Sequence, residues 1–385
     1  MTTRSYLDYN ATAPLRTEVR EAMVTAFHTY GNPSSVHAEG RAARALIESA
    51  RAKVAALAGA RAENVVFTSG GSEANALALA AQAGEAWHCY MSAVEHPSVL
   101  AGGRFYGEST TRIPVSGDGV VDLDALAAEL AKHHLGGWRP FVSLMSANNE
   151  TGAIQPIAEA AEIVHAADGL LHTDAVQVPG KLPLDFAALG ADMMTLSAHK
   201  IGGPKGIGAL VLREGVVVEP LIKGGGQERR RRAGTENVAG IVGFSVAAEL
   251  AASDLEKAPA LAALRNELER RALAVEPDAV VISSRVARLP NTSCIAVPGT
   301  KAETLVIGLD LAGVAVSAGS ACSSGKVEAS HVLGAMGLSP ELAQGAIRVS
   351  LGIGTVSADI ERFINAWSEL IKRMRQRQEA ALTAA

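Results

Sequence analysis

Aromatic residues make up only 4% of this 385-residue chain, and cysteine occurs three times. Cys89, Cys294 and Cys322 are too few for a disulfide framework, and none belongs to a C-x-x-C pair. The ten histidines include no H-E-x-x-H and no cysteine–histidine cluster of zinc spacing, so no metal site is expected. No uninterrupted apolar run reaches the ~18 residues that a membrane span needs. The opening MTTRSYLDYN lacks the apolar core of a secretory signal. Neither sign of charge dominates: 35 Lys and Arg stand against 40 Asp and Glu, a net charge of −5. Nucleic-acid binding wants a basic surface, which excludes it as the main partner. The absences together describe a reduced, cytoplasmic protein with no membrane partner.

What is present is a globular composition, 48% hydrophobic and 19% charged. The length suggests two to three domains. From about residue 38 to 250, short β-rich runs alternate with helical patterns. Strands are expected over Asn64–Thr68, Trp87–Met91, Phe141–Ala147, Leu170–Asp174, Asp192–Ser197 and Ile207–Arg213. Between them lie periodic stretches such as Glu39–Ala58, Leu123–Lys132 and Ile157–Ala167. Apolar strands separated by helices indicate a mostly parallel sheet covered on both faces. After the Gly- and Arg-rich loop Lys223–Thr235, a long helical region runs over Glu236–Ala274, with a break at Ser253-Asp254. The tail then reads as a smaller α+β unit: strands at Thr292–Val297, Val314–Ser317 and Ile347–Leu351, and helices over Ala302–Ala312 and from Ser357.

Ligands of parallel α/β sheets bind beyond the carboxyl ends of the strands, and the distinctive polar clusters fall there. Thr68-Ser-Gly-Gly-Ser72-Glu follows a strand and opens a helix, an arrangement that offers N–H groups and a positive dipole end to a phosphate. Asn148-Asn149-Glu150, Asp174-Ala-Val-Gln177 and Ser197-Ala-His199-Lys200 follow three other strands. Each alone is explained as a turn; four at consecutive strand ends are not. A lysine flanked by His199 and glycines is placed to become a carbonyl-reactive amine. A phosphate cradle, an acid and such a lysine are what pyridoxal 5′-phosphate requires: a Schiff-base partner, a carboxylate for the pyridine nitrogen and a helix end for the phosphate.

Those residues resemble the cysteine desulfurases of the nitrogen-fixation and iron–sulfur-cluster type, within the class V aminotransferases. The resemblance runs from Tyr6-Leu-Asp-Tyr-Asn-Ala-Thr-Ala-Pro14 to Ile347-Arg-Val-Ser-Leu-Gly352. Its most specific pieces are Tyr30-Gly-Asn-Pro-Ser34, Glu95-His96, Asn148-Asn-Glu-Thr-Gly152, Ser197-Ala-His-Lys200 with Gly-Pro-Lys-Gly206, and Gly319-Ser-Ala-Cys322. It implies the fold type I of pyridoxal-phosphate-dependent transferases, with a mostly parallel seven-stranded sheet. It also implies a large cofactor-binding domain over 15–253, and a smaller α+β domain from 1–14 and 254–385 that carries the catalytic-cysteine loop. Carried over, Lys200 takes the cofactor and shuttles the Cα proton, and Asp174 pairs with the pyridine nitrogen. Gln177 and Asn149 address the ring hydroxyl, and His96 stacks on the ring as acid–base partner. Gly71, Ser72, Ser197 and His199 hold the phosphate, and Arg348 clamps the substrate carboxylate. Thr235 reaches the partner subunit's phosphate, which implies a homodimer. Two positions depart from the family pattern: Ser72 stands where threonine is usual and Ala76 where asparagine is common. The run Arg229–Arg232 is more basic than usual.

Cys322 decides the reaction. Its neighbours in Ser317-Ala-Gly-Ser-Ala-Cys-Ser-Ser-Gly325 are small and offer little to pack, which suits a loop that carries a thiol in and out of a pocket. Cys89 and Cys294 read as small buried hydrophobes. The implied reaction converts L-cysteine into alanine and a persulfide on Cys322, which is then passed to a sulfur acceptor or an iron–sulfur scaffold protein. That persulfide is also the one place where a cluster in transit would find a ligand. The alternatives are another pyridoxal phosphate reaction, such as an aminotransferase or a selenocysteine lyase, and a catalytically idle scaffold. A P-loop at Gly319–Lys326 fails on spacing, because five residues separate its glycines and Val327 follows the lysine.

Overall fold

A computed structural model describes residues 4–80, 87–105, 107–134, 137–319 and 330–384. In chain order its strands are β1 (Ser5–Tyr6), β2 (Val65–Thr68), β3 (Trp87–Ser92), β4 (Thr110–Ile113), β5 (Arg139–Ser143), β6 (Leu170–Asp174) and β7 (Met193–Ser197). They continue as β8 (Gly208–Leu212), β9 (Val280–Val281), β10 (Thr292–Ala296), β11 (Val314–Ala315), β12 (Ser317–Ala318) and β13 (Ala346–Ser350). Seven of them form one sheet in the order β2-β8-β7-β6-β5-β3-β4. Its pairs are parallel except those that β8 makes with β7 and β2. The mostly parallel seven-stranded sheet of fold type I is therefore present.

Both faces of that sheet are covered, which is why most residues of its strands are buried. Alternate side chains enter different cores: Val65 and Phe67 pack on one face and Val66 on the other. The first core is closed by the helices Ala38–Leu57 and Val238–Asp254. In Ala38–Leu57 the buried positions Ala43, Ile47, Ala50 and Val54 recur at the 3.6-residue period of one helix face. Val238–Asp254, capped by Asn237 on the Gly240 N–H at 3.0 Å, is apolar nearly all round because it is buried nearly all round. It continues through a short turn at Leu255–Lys257 into Ala258–Val275, the break expected from Ser253-Asp254. The stretch Val238–Val275 is long and apolar enough to pass for a membrane span by composition, yet its first helix is core.

A second core gathers Leu7 with Ile295, Leu305, Leu309, Ile347, Phe363 and Trp367, under the sheet β12-β13-β10-β9. The amino-terminal strand β1 joins this part of the chain through its parallel pairing with β11. Two strand expectations need correction, and one strand of the large sheet has no counterpart among them. The strand expected over Val314–Ser317 is two strands, since Val316 carries the chain from the β1 partner to the β13 partner. The one expected over Phe141–Ala147 starts at Arg139 and ends at Ser143, although Leu144 and Ser146 still donate to the carbonyls of His172 and Asp174. The edge strand β4, Thr-Thr-Arg-Ile, carries no apolar run and was not anticipated.

His172 ties the middle of the large sheet together. Its Nδ1 lies 2.8 Å from Ser143 Oγ and its Nε2 3.0 Å from Thr195 Oγ1, so it bridges β5 and β7 from β6. Burial pulls its pKa from 6.5 to about 4. A depressed histidine pKa means that the unfolded chain binds the proton more tightly. The associated stability is full above pH 6.5 and is lost as pH falls towards 4. A His172→Gln variant, which hydrogen-bonds without titrating, is expected to flatten the pH dependence of the unfolding free energy in that window by up to about 3 kcal/mol. Equal slopes for the two proteins over the same window would refute it.

Candidate active site

The carboxyl ends of β6 and β7, the turn after β5 and the start of the helix Gly71–Ala78 open onto one cavity of about 290 Å3. Its lining includes Gly71, Ser72, His96, Asn149, Asp174, Gln177, Ser197, His199, Lys200 and Arg348. Ten residues singled out from the sequence thus meet in one place.

Lys200 sits on the single turn Ala198–Ile201 that follows β7. The turn is closed by Gly202 at φ +78°, where a Cβ would lie 2.6 Å from Arg16 Cγ, so only glycine fits. The Lys200 ammonium donates to the backbone carbonyls of Asn10 at 2.6 Å and Ala11 at 3.1 Å. Asp174 ends β6, 4% exposed, and its carboxylate accepts from Asn75 Nδ2 at 2.7 Å and from the Val176 N–H at 3.1 Å. Asn75 also donates to Ser98 Oγ at 2.9 Å. Ser98 lies 2.7 Å from His96 Nδ1, and the Ser98 backbone N–H donates to the same nitrogen at 3.1 Å. With Nδ1 accepting a backbone N–H, the neutral ring carries its proton on Nε2. Burial pushes the His96 pKa down, with Asp174 opposing and Lys200 and His331 adding to it.

No side chain caps the helix Gly71–Ala78, so its first N–H groups face the cavity. Its first turn is instead held from outside: Glu73 accepts from Arg232 Nε at 2.9 Å and from the Ser69 N–H at 2.8 Å. Burial raises the Glu73 pKa, but these bonds outweigh it and leave the carboxylate below its ordinary value. On the other side Gln177 donates to the Asn10 carbonyl at 3.0 Å, and His199 Nδ1 lies 3.2 Å from Thr12 Oγ1. Burial, then Lys200 and Lys205, pull His199 to about 4, so it is neutral. Arg348 on β13 reaches in from the second sheet, 3% exposed, donating to Asp8 Oδ1 at 2.8 Å and to the Asn149 carbonyl at 3.2 Å.

Two of the expected residues are not part of this lining. Thr235 is exposed and does not line the cavity. Cys322 lies outside the described residues. Cys89 and Cys294 are both buried, as expected of packing residues, and burial drives both thiol pKa values up, that of Cys294 to about 12. The residues that sequence reasoning missed are Asn10, Asn75 and Ser98. Asn10 stands inside the Tyr6–Pro14 motif and Asn75 just beyond the Thr68–Glu73 cluster, but their roles depend on partners remote in the sequence, such as Ser350 for Asn10 and Asp174 for Asn75.

The Aminotransferase class-V family model matches residues 5–363. A cysteine desulfurase of Cereibacter sphaeroides is 45% identical over 382 residues, covering 97% of each chain. The cysteine desulfurase IscS of Dictyoglomus turgidum is 42% identical, covering 96% of this chain and 95% of the relative. The NifS-like protein from Rickettsia africae superposes with a TM-score of 0.88 at 37% identity, covering 96% of this chain and 99% of that one. The chain belongs to the class-V aminotransferase family and, within it, to the cysteine desulfurases.

Proposed function

We propose that the protein removes sulfur from L-cysteine, releases L-alanine and keeps the sulfur as a persulfide on Cys322. The observation that carries the reading is the meeting of an amine, a carboxylate, an uncapped helix start and an arginine around one cavity.

Pyridoxal 5′-phosphate fits these residues. Ser197 Oγ is buried at the cavity without a hydrogen-bond partner, as is Asn75 Oδ1. At Gly71 a Cβ would come 3.2 Å from Val176 and 3.5 Å from Ser197, so glycine keeps room beside the helix start. In this reading Gly71, Ser72, Ser197 and His199 hold the phosphate, Asp174 the pyridine nitrogen, Gln177 and Asn149 the ring hydroxyl, and Lys200 the aldehyde carbon. When bound, the cofactor supplies an electron sink for the substrate Cα. Lys200 takes the Cα proton and returns it. His96, whose neutral ring carries its proton on Nε2, would stack on the ring and serve as acid–base partner. Arg348 binds the substrate carboxylate; its Nε is buried and unpartnered, a donor still to be used. Cys322 thiolate then attacks the substrate sulfur: the S–S bond forms as the C–S bond breaks. The electron pair stays on the substrate carbon, which takes a proton and leaves as alanine. Cys89 and Cys294 are too buried and too weakly acidic for that role.

The reading extends to the division into a cofactor unit over 15–253 and a unit of 1–14 with 254–385 that carries Cys322. It includes a homodimer in which Thr235 reaches the partner's phosphate, and transfer of the sulfur to an acceptor or iron–sulfur scaffold protein. The unpaired, buried cysteines suit a reducing cytoplasm.

Two measurements test this. After L-cysteine is added without reductant, the Cys322 peptide is expected to gain one sulfur while alanine accumulates. A Cys322→Ala variant should keep its cofactor and form neither; alanine formed at the wild-type rate by that variant would refute the assignment. Arg348→Lys should raise KM for L-cysteine on the order of a hundredfold, the scale of losing a buried charge-assisted pair. An unchanged KM would remove Arg348 from substrate binding.

A further inference from the structure

Lys181 is buried in the turn after β6, 9% exposed, where an ammonium is costly unless it is fully used. Burial first, then the charges of Lys200 and Arg348, pull it down to about 7. Among the described residues it has no carboxylate partner. Its Nζ donates to Gln177 Oε1 at 3.0 Å and to Asn10 Oδ1 at 3.4 Å. A lysine head is a donor only, so the Gln177 atom that it meets must be the oxygen. The Gln177 NH2 group is thereby turned the other way. One of its hydrogens goes to the Asn10 carbonyl at 3.0 Å, the same carbonyl that receives Lys200 at 2.6 Å. The second hydrogen is left for the cavity that Gln177 lines.

We propose that Lys181 is a positioning residue of the cofactor site, acting through Gln177 and Asn10: it fixes the Gln177 amide with its donor face towards the cavity and steadies the Asn10 segment that holds Lys200. The inference rests on the pyridoxal phosphate reading above and adds to it a residue outside the cavity's lining. It makes a distinct claim, because a lysine that served only to fill the turn would affect stability without regard to Gln177.

The test is a double-mutant cycle on the affinity of the full-length apoenzyme for pyridoxal 5′-phosphate, read by absorbance titration, with apoenzyme Tm measured alongside. Lys181→Met is expected to weaken that affinity about tenfold in the native background, and by less than about twofold when Gln177 is already methionine, as for residues sharing one network. Lys181→Gln, which keeps a donor without the charge, should fall between wild type and Lys181→Met, and it replaces Lys181→Met in the cycle if that variant does not fold. Unchanged affinity in the single variants, or an equal loss in both backgrounds, overturns the proposal. The two readings fail separately. Wild-type apoenzyme must give a borohydride-stable adduct on the Lys200 peptide; its absence overturns the cofactor assignment itself.

Discussion

Asn10 is the joint on which the site depends. It is 1% exposed, and its backbone and side chain engage partners from three parts of the chain. Its carbonyl receives Lys200 and Gln177 from the ends of the large-sheet strands. Its side-chain nitrogen donates to the Asn149 carbonyl at 3.1 Å and to Thr292 Oγ1 at 2.9 Å, and its side-chain oxygen accepts from Asn291 at 3.0 Å. Its N–H donates to Ser350 Oγ on β13 at 3.0 Å. A buried polar group left without partners costs about 1–3 kcal/mol, so each of these bonds is enforced by the others. The outcome is that the segment Asp8–Asn10, just after β1, ties Lys200 on the turn after β7 to Arg348 on β13. Asp8, two residues before Asn10, holds the Arg348 guanidinium directly.

The charges around the cavity are arranged by burial as much as by pairing. Lys200, Lys181 and Arg348 crowd one side, and the pressure shows in Lys181. Three buried carboxyls of the region have different fates. Asp174 is held by Asn75 and a backbone N–H. Glu95 is wholly buried with one oxygen on the Met145 N–H and the other unpartnered; burial raises its pKa well above the ordinary value, and the charge of Asp174 adds to it. Glu150 is raised to about 7 by burial, against the pull of Ser330 and Arg348. Asp174 is thus the carboxylate that its surroundings hydrogen-bond, while burial disfavours a charge on Glu95. Lys200 and Arg348 both line the cavity, and cationic groups so placed suit an anionic ligand.

The sheet and the strand-end clusters were legible in the sequence because both are local. A buried parallel strand is a run of apolar residues, and the polar residues that follow it are adjacent in the chain. For that reason Lys200, Asp174, Asn149 and the Gly71-Ser72 helix start could be placed without coordinates. The missed parts are those whose meaning lies in distant partners. Asn75 has the same local signature as any helical asparagine, yet it spans from Asp174 to Ser98. Lys181 reads as a surface lysine between a Pro-Gly turn and Leu-Pro, and only the fold buries it. The strands β1 and β9 are two residues each, too short for any period to register. Val316 illustrates the same limit, since changing partner sheets leaves no mark in an apolar run.

The Arg229–Arg232 run gains its sense from strain. Glu228, Arg229 and Arg230 have φ of 44°, 56° and 64°, three successive residues in the left-handed region where a side chain costs about 1–3 kcal/mol each. Something must hold them, and the buried Glu228 does. It takes Arg51 in a two-pronged pair at 2.6 and 2.9 Å and also accepts the Phe67 N–H on β2 at 2.8 Å. Arg229 and Arg231 both donate to the Glu63 carbonyl just before β2. Folded this tightly against the edge strand, the run delivers Arg232 to Glu73 in the first turn of the Gly71–Ala78 helix. With Glu73 paired outward to Arg232, its charge is neutralised beside the helix start. The first N–H groups are then left electropositive towards the cavity. A segment that reads as a solvated basic loop therefore acts on the same helix terminus that the sequence marks as a phosphate cradle.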